Sequence, residues 1–165
     1  MPLSEQAVDS SRYAVIPRTA IFVRRGDEYL LLRGAATKRL WAGKYNGLGG
    51  HVERGEDIHA SARRELVEET GLEADLWLCG VVLVDAGPTG VCLFLFIGEN
   101  PRGELRPSAE GTAEWIPLDA LAGLPVVEDL PALLERIHRA RRGDAPFAAR
   151  SYYDESGGLR LVVEE

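Results

Sequence analysis

The stretch GHVERGEDIHASARRELVEETGL, positions 50–72, sets the reading of the whole chain. From Asp57 or Ile58 to Thr70 it contains no Gly or Pro. Ile58, Ala62 and Leu66, with Val67 beside them, recur at steps of three and four, which predicts a helix with one apolar face. Gly71 supplies the left-handed residue that closes such a helix, with Leu72 placed to fold back as the apolar contact of that cap. On this helix Glu65, Glu68 and Glu69 stand at i, i+3 and i+4, so their carboxylates leave from one flank, about 5–6 Å apart at Cβ. Two unit charges about 4 Å apart at an effective dielectric near 20 repel by roughly 4 kcal/mol. Three carboxylates so placed cannot stay ionised cheaply without a partner, unless solvent screens an ordinary acidic face.

The same stretch fills every fixed position of the Nudix box, G-x5-E-x7-R-E-U-x-E-E-x-G-U with U aliphatic. The matches are Gly50, Glu56, Arg64, Glu65, Glu68, Glu69 and Gly71, with Leu66 and Leu72 at the aliphatic places. The chain therefore resembles the Nudix hydrolases. That resemblance implies cleavage of a nucleoside diphosphate linked to another moiety, with Mg2+, or Mn2+ in its place, on the acidic helix. Mg2+ takes hard oxygen ligands and bridges carboxylates to phosphates, and in that role it neutralises the pyrophosphate and activates water. By the resemblance, Glu65, Glu68, Glu69 and the Gly50 carbonyl are metal ligands, with Glu65 also a candidate base. Arg64 and Glu56 are the ion pair bracing loop against helix, an ordinary surface pair being the plainer alternative.

At 165 residues, 45% of them hydrophobic, the chain reads as one domain, residues 12–165, behind a polar, frayed tail, residues 1–11. A net charge of −7 argues against a nucleic-acid polymer as partner but not against a nucleotide. No run of eighteen apolar residues and no leader-like start are present, so a cytoplasmic protein without membrane partner is expected. Cys79 and Cys92 read as buried thiols. His51, His59 and His138 make no readable ligand set: His59 and His138 read as solvated surface, and a place for His51 lining the site, next to Gly50, is the less favoured reading for it.

Around the box, strands are expected at 14–25, with Pro17 in an irregular or edge part, and at 28–33 after a Gly26-Asp27 reversal. Residues 34–47 form a loop rich in small and basic residues. Lys38, Arg39 and Lys44 are candidates for phosphate contacts, and Trp41 and Tyr45 for stacking on a base. A second hairpin, 74–84 with 91–98, is followed by a polar loop to 111 and a short strand at 114–117. A second helix is expected at 129–142: Leu130, Leu133, Leu134, Ile137 and Arg141 share a face, Pro131 sits in the first turn and Gly143 ends it. A hairpin turning near 156–158 closes the chain. Strands mixed with two helices predict an α/β/α sandwich around a mixed sheet, as the Nudix resemblance also implies.

Outside the box, residues 43–53, Ser108-Ala109-Glu110, residues 114–118 and Glu128-Asp129 are similar to the MutT-like enzymes that hydrolyse oxidised purine nucleoside triphosphates. Under that resemblance Asn46 bonds the purine edge, Glu128 and Asp129 are further polar contacts, and Glu110 is an additional metal ligand or base. The acidic pair is Glu-Asp here, and Val126-Val127 lacks an aromatic found in the mammalian enzyme. Helix capping by Asp129 is the competing explanation. Two other readings stand beside a triphosphate pyrophosphohydrolase. One is an ADP-ribose or related pyrophosphatase, on the strength of Pro88 sixteen residues past the box, which a hairpin turn explains equally well. The other is a non-catalytic nucleotide sensor, against which the intact Glu65, Glu68 and Glu69 speak. Monomer and homodimer are both open.

Overall fold

The computed structural model describes residues 2–6 and 8–164. Among these, eight strands form one mixed sheet: β1 (Ala14–Arg25), β2 (Glu28–Gly34), β3 (Tyr45–Asn46), β4 (Leu72–Val84), β5 (Thr89–Gly103), β6 (Gly111–Pro117), β7 (Phe147–Tyr153) and β8 (Leu159–Val163). Their order is β3-β2-β1-β5-β4-β7-β8, with β6 also pairing β2. The expected hairpins β1–β2, β4–β5 and β7–β8 are antiparallel. The pairings β1–β5 and β4–β7 are parallel and make the sheet mixed.

The run AIFV in β1 and YLLL in β2 are apolar on both faces because the sheet is covered on both. Ile21, Val23, Leu30 and Leu32 pack with Ala62 and Leu66 of α1 (Ile58–Thr70). Phe22, Tyr29 and Leu31 point the other way and pack with Leu130, Leu133, Leu134 and Ile137 of α2 (Leu130–Arg139). The α/β/α sandwich is thus present. No helix among the described residues is long and apolar enough to cross a membrane.

Helix α1 starts at Ile58 and ends at the expected Gly71 (φ 76°), which donates to the Val67 carbonyl; Asp57, not read as a cap from sequence, caps the start by accepting the Ala60 N–H at 2.8 Å. Val67, however, faces out at 43% exposure. Leu72 is buried with Leu66, but it already starts β4.

Several boundaries differ from the sequence reading. Helix α2 stops at Arg139, not Arg142, because Ala140 turns into extended backbone and is buried. Arg24 and Arg141 donate to the last carbonyls, so Gly143 is not the cap and Arg141 lies outside the helix. Strand β5 runs through residues expected as loop, since Asp75 on β4 bonds Asn100 and Arg102 across the ladder. Strand β3 interrupts the predicted loop 34–47, and 3-10 turns form at Leu118–Gly123 and at Leu3–Gln6, the latter within the expected tail. Pro17 lies where β1 has β5 on one side and, on the other, the Val52 N–H donating to its carbonyl. His138 is half-buried and bonded to the Tyr29 hydroxyl at 2.9 Å, so it is not plain surface. His59 is exposed, its ring set edge-on to Phe96. Cys79 is buried and Cys92 partly so, both free thiols.

Candidate active site

The loop entering the box docks on β1 as an extra strand. Ile21 and Leu48 exchange both backbone hydrogen bonds, Thr19 N–H donates to the Gly50 carbonyl at 2.8 Å, and Val52 N–H to that of Pro17. Gly49 adopts φ 128°, and a Cβ there would stand 2.2 Å from the Thr19 carbonyl oxygen. At Gly50 a Cβ would stand 2.5 Å from Glu65 Oε1. The two glycines therefore let the loop approach β1 and α1 more closely than side chains permit.

The three box glutamates have different surroundings. Glu69 is 4% exposed, and its Oε2 accepts the Gly49 N–H at 2.7 Å. Burial pushes its carboxyl up to about 8, against the pull of that N–H, and the Glu65 carboxylate adds to the rise. Arg64 holds the others: its Nη1 reaches Glu65 Oε1 at 2.8 Å and Glu68 Oε2 at 3.1 Å. The same guanidinium grips Glu56 through both oxygens, at 2.6 and 3.0 Å, and donates to the His51 carbonyl. This fork holds the Glu56 carboxyl down at about 2 and anchors the loop to the helix as expected. Arg64 thereby offsets part of the repulsion between Glu65 and Glu68.

Glu65, Glu68, Glu69, the Gly50 backbone, His51 and Glu110 border one open cleft, together with Arg18, Lys38 and Ser108. Among the described residues no three His, Cys, Asp or Glu side chains already converge as a metal-binding set. Glu65 is drawn to Arg64, Glu69 to Gly49, and Glu110 to Lys38 at 2.5 Å. The carboxylates and the Gly50 carbonyl offer hard oxygens, which suit Mg2+ or Mn2+ over softer metals. The Gly50 carbonyl keeps one lone pair beyond its bond to Thr19.

A cavity of about 360 Å3 adjoins this cleft. Phe22, Leu93, Val127, Leu130 and Leu133 give it apolar walls, and Asn46, Lys38, Lys44, Trp41, Glu128 and Asp129 border it. Asp129 makes no capping bond, which overturns the capping alternative; burial raises its carboxyl above the usual range, and neighbouring Glu128 raises it further. The Asn46 Oδ1 accepts the Gly47 N–H, leaving the amide NH2 as its donor end. Glu128 itself is exposed and accepts the Leu159 N–H at 2.9 Å, holding the tip of the β7–β8 hairpin.

Two candidates are not brought to the site. Arg39 is exposed and borders neither space. Tyr45 offers no stacking face: it is 6% exposed and donates its hydroxyl to Glu114, which, with burial, raises its pKa. Conversely, Arg18, Thr19 and Ser151 border the cavity and carry buried polar atoms without a partner among the described residues. None was singled out from sequence. For Arg18 a signal existed, since period-two alternation along β1 puts it on the face of Ala20 and Phe22.

The sandwich, the close-docked glycine loop and the acid-and-arginine cluster define a class, and comparison with known proteins gives the same one. A family model described as NUDIX domain matches residues 15–138. The chain belongs to the NUDIX family, and thereby to a family of hydrolases that use divalent metal ions. Among curated relatives, it is 33% identical over 133 residues to the NAD-capped RNA hydrolase NudC of Stutzerimonas stutzeri (strain A1501), covering 79% of this chain and 46% of that one. It is 37% identical over 94 residues to the oxidized purine nucleoside triphosphate hydrolase of Danio rerio, covering 55% and 60%. The chain thus spans roughly half the length of the curated relatives it matches. Among solved structures, the mutator MutT protein of Bacillus halodurans superposes with a TM-score of 0.75 at 25% identity, covering 91% of this chain and 98% of that one.

Proposed function

We propose that the chain is a Mg2+-dependent nucleoside triphosphate pyrophosphohydrolase, acting on purine nucleotides, oxidised purine deoxynucleotides included, to give a monophosphate and pyrophosphate. One observation carries this reading: a cavity of single-nucleoside scale, with apolar walls and a polar border, adjoins the acidic cleft, so a base in one places its phosphates in the other. Asn46 and the raised carboxyl of Asp129 offer a donor and acceptor set for a base edge. Lys38 and Lys44 meet phosphate oxygens. Glu65, Glu68, Glu69, Glu110 and the Gly50 carbonyl would hold the cation, which supplies charge neutralisation for the phosphate chain when bound. Burial raises the Glu69 carboxyl, and a cation held there would favour its ionised form. Glu65 or Glu110 accepts the proton of the attacking water, and Arg64 fixes the orientation of Glu65. Residues 12–165 act as one domain in this reading.

A panel of oxidised and ordinary purine triphosphates, assayed for pyrophosphate release with Mg2+, tests it. Release with kcat/KM highest on purine triphosphates is expected, and none on any triphosphate refutes it. A second reading, cleavage of a nucleoside-diphosphate-linked substrate such as ADP-ribose or NAD, draws support from the likeness to NAD-capped RNA hydrolases over 79% of this chain. Pro88 lends it nothing beyond the sequence, since that residue lies in the turn between β4 and β5. Higher turnover on ADP-ribose or NAD than on triphosphates would favour it.

A further inference from the structure

Four residues border both the apolar cavity and the acidic cleft: Arg18, Lys38, Gly49 and Glu69. Lys38 is paired with Glu110, and Glu69 takes the Gly49 N–H. Arg18 differs. Its Nε is buried with no hydrogen-bond partner, and no ion pair among the described residues includes it. The acids nearby are committed elsewhere, Glu65 and Glu68 to Arg64 and Glu110 to Lys38. By contrast, Arg24 and Arg64 are each held by carboxylates.

A buried guanidinium nitrogen without an acceptor is costly, and such atoms in native structures call for a partner or a function. The seam where Arg18 stands is also where a phosphate must lie if a nucleoside fills the cavity and its phosphate chain enters the cleft. Guanidinium presents a planar fork that matches two phosphate oxygens, which a carboxylate-paired lysine does not. The strand fixes the place of Arg18: residue 19 is tied to Gly50 and residue 17 to Val52, so the backbone on either side is clamped to the box loop.

From this placement we infer that Arg18 is a substrate-binding residue, donating to the phosphate that joins the nucleoside to the rest of the chain and so selecting phosphorylated over unphosphorylated nucleosides. The inference deepens the proposed activity and rests on its assignment of the cavity to the nucleoside. Titration calorimetry in EDTA, with deoxyguanosine monophosphate and deoxyguanosine as the two probes, separates it from any metal effect. Arg18→Gln weakens monophosphate binding about 10- to 100-fold and leaves deoxyguanosine within about twofold. Arg18→Lys, keeping the charge and losing the fork, falls between. Unchanged monophosphate affinity in Arg18→Gln, an equal loss for both probes, or no monophosphate binding by the unmodified chain would each overturn it. Should the unmodified chain hydrolyse no triphosphate yet show the Arg18-dependent difference, the activity fails while this subsite stands.

Discussion

Replacing Glu69 with Gln in metal-free protein isolates the effect of burying a carboxyl beside two other acids. In the folded chain that group is raised from an ordinary 4.5 to about 8, chiefly by burial. At about 1.36 kcal/mol per unit, the shift caps the linked stability change at about 5 kcal/mol. The sign follows from the direction. Between pH 4.5 and 8 the native state binds the proton more tightly than the unfolded chain, so the stabilisation is complete below pH 4.5 and is lost as pH rises through 8. Urea unfolding in EDTA at pH 5, 6, 7 and 8 reads this directly. Subtracting the Glu69→Gln curve from that of the unmodified chain cancels the other titrating groups, and the difference should fall steadily across the interval. A flat difference would show that Glu69 is ionised at neutral pH without a cation, and the account of how the acidic flank is tolerated would be wrong.

Three further outcomes are expected. Gly49→Ala forces a side chain onto φ 128° and against the Thr19 carbonyl; it should cost at least about 2 kcal/mol in urea unfolding, and an unchanged midpoint would contradict the close docking. Arg64→Lys loses the two-pronged hold on Glu56 and frees Glu65, so kcat should drop about 10- to 100-fold with little change in KM; a pure KM effect would move Arg64 out of the positioning role. Leu134→Ala, in the α2 core at 1% exposure, should cost about 2–5 kcal/mol and leave kcat of the folded enzyme near that of the unmodified chain.

What could be read from sequence follows the range of the interactions. Helix α1 was legible over most of its length because its signals are local: a body without Gly or Pro, an apolar repeat and a left-handed glycine at its end. The same locality put Glu65, Glu68 and Glu69 on one flank, whereas the Glu56–Arg64 pair came from the Nudix resemblance. Helix α2 was overrun by three residues since its end is set by Arg24 reaching from β1 to the Ala140 carbonyl, a contact across 116 positions. Tyr45 read as a stacking face because nothing local discloses that Glu114 receives its hydroxyl. Arg39 read as a phosphate contact because a basic loop does not say which of its side chains turn inward. Arg18 escaped notice for the opposite reason: alternation along β1 gives its face, but its role has meaning only once β1 is known to run between the cavity and the cleft.

We propose that the carboxylates on the flank of α1 drive phosphoanhydride hydrolysis. Glu68→Gln tests it most cleanly, because Glu68 is 58% exposed at its side chain and its change to an amide leaves the core untouched. Pyrophosphate release from a purine triphosphate at saturating Mg2+ should fall by about 10²- to 10⁴-fold, with the unfolding midpoint nearly unchanged. Turnover equal to that of the unmodified chain would contradict the claim.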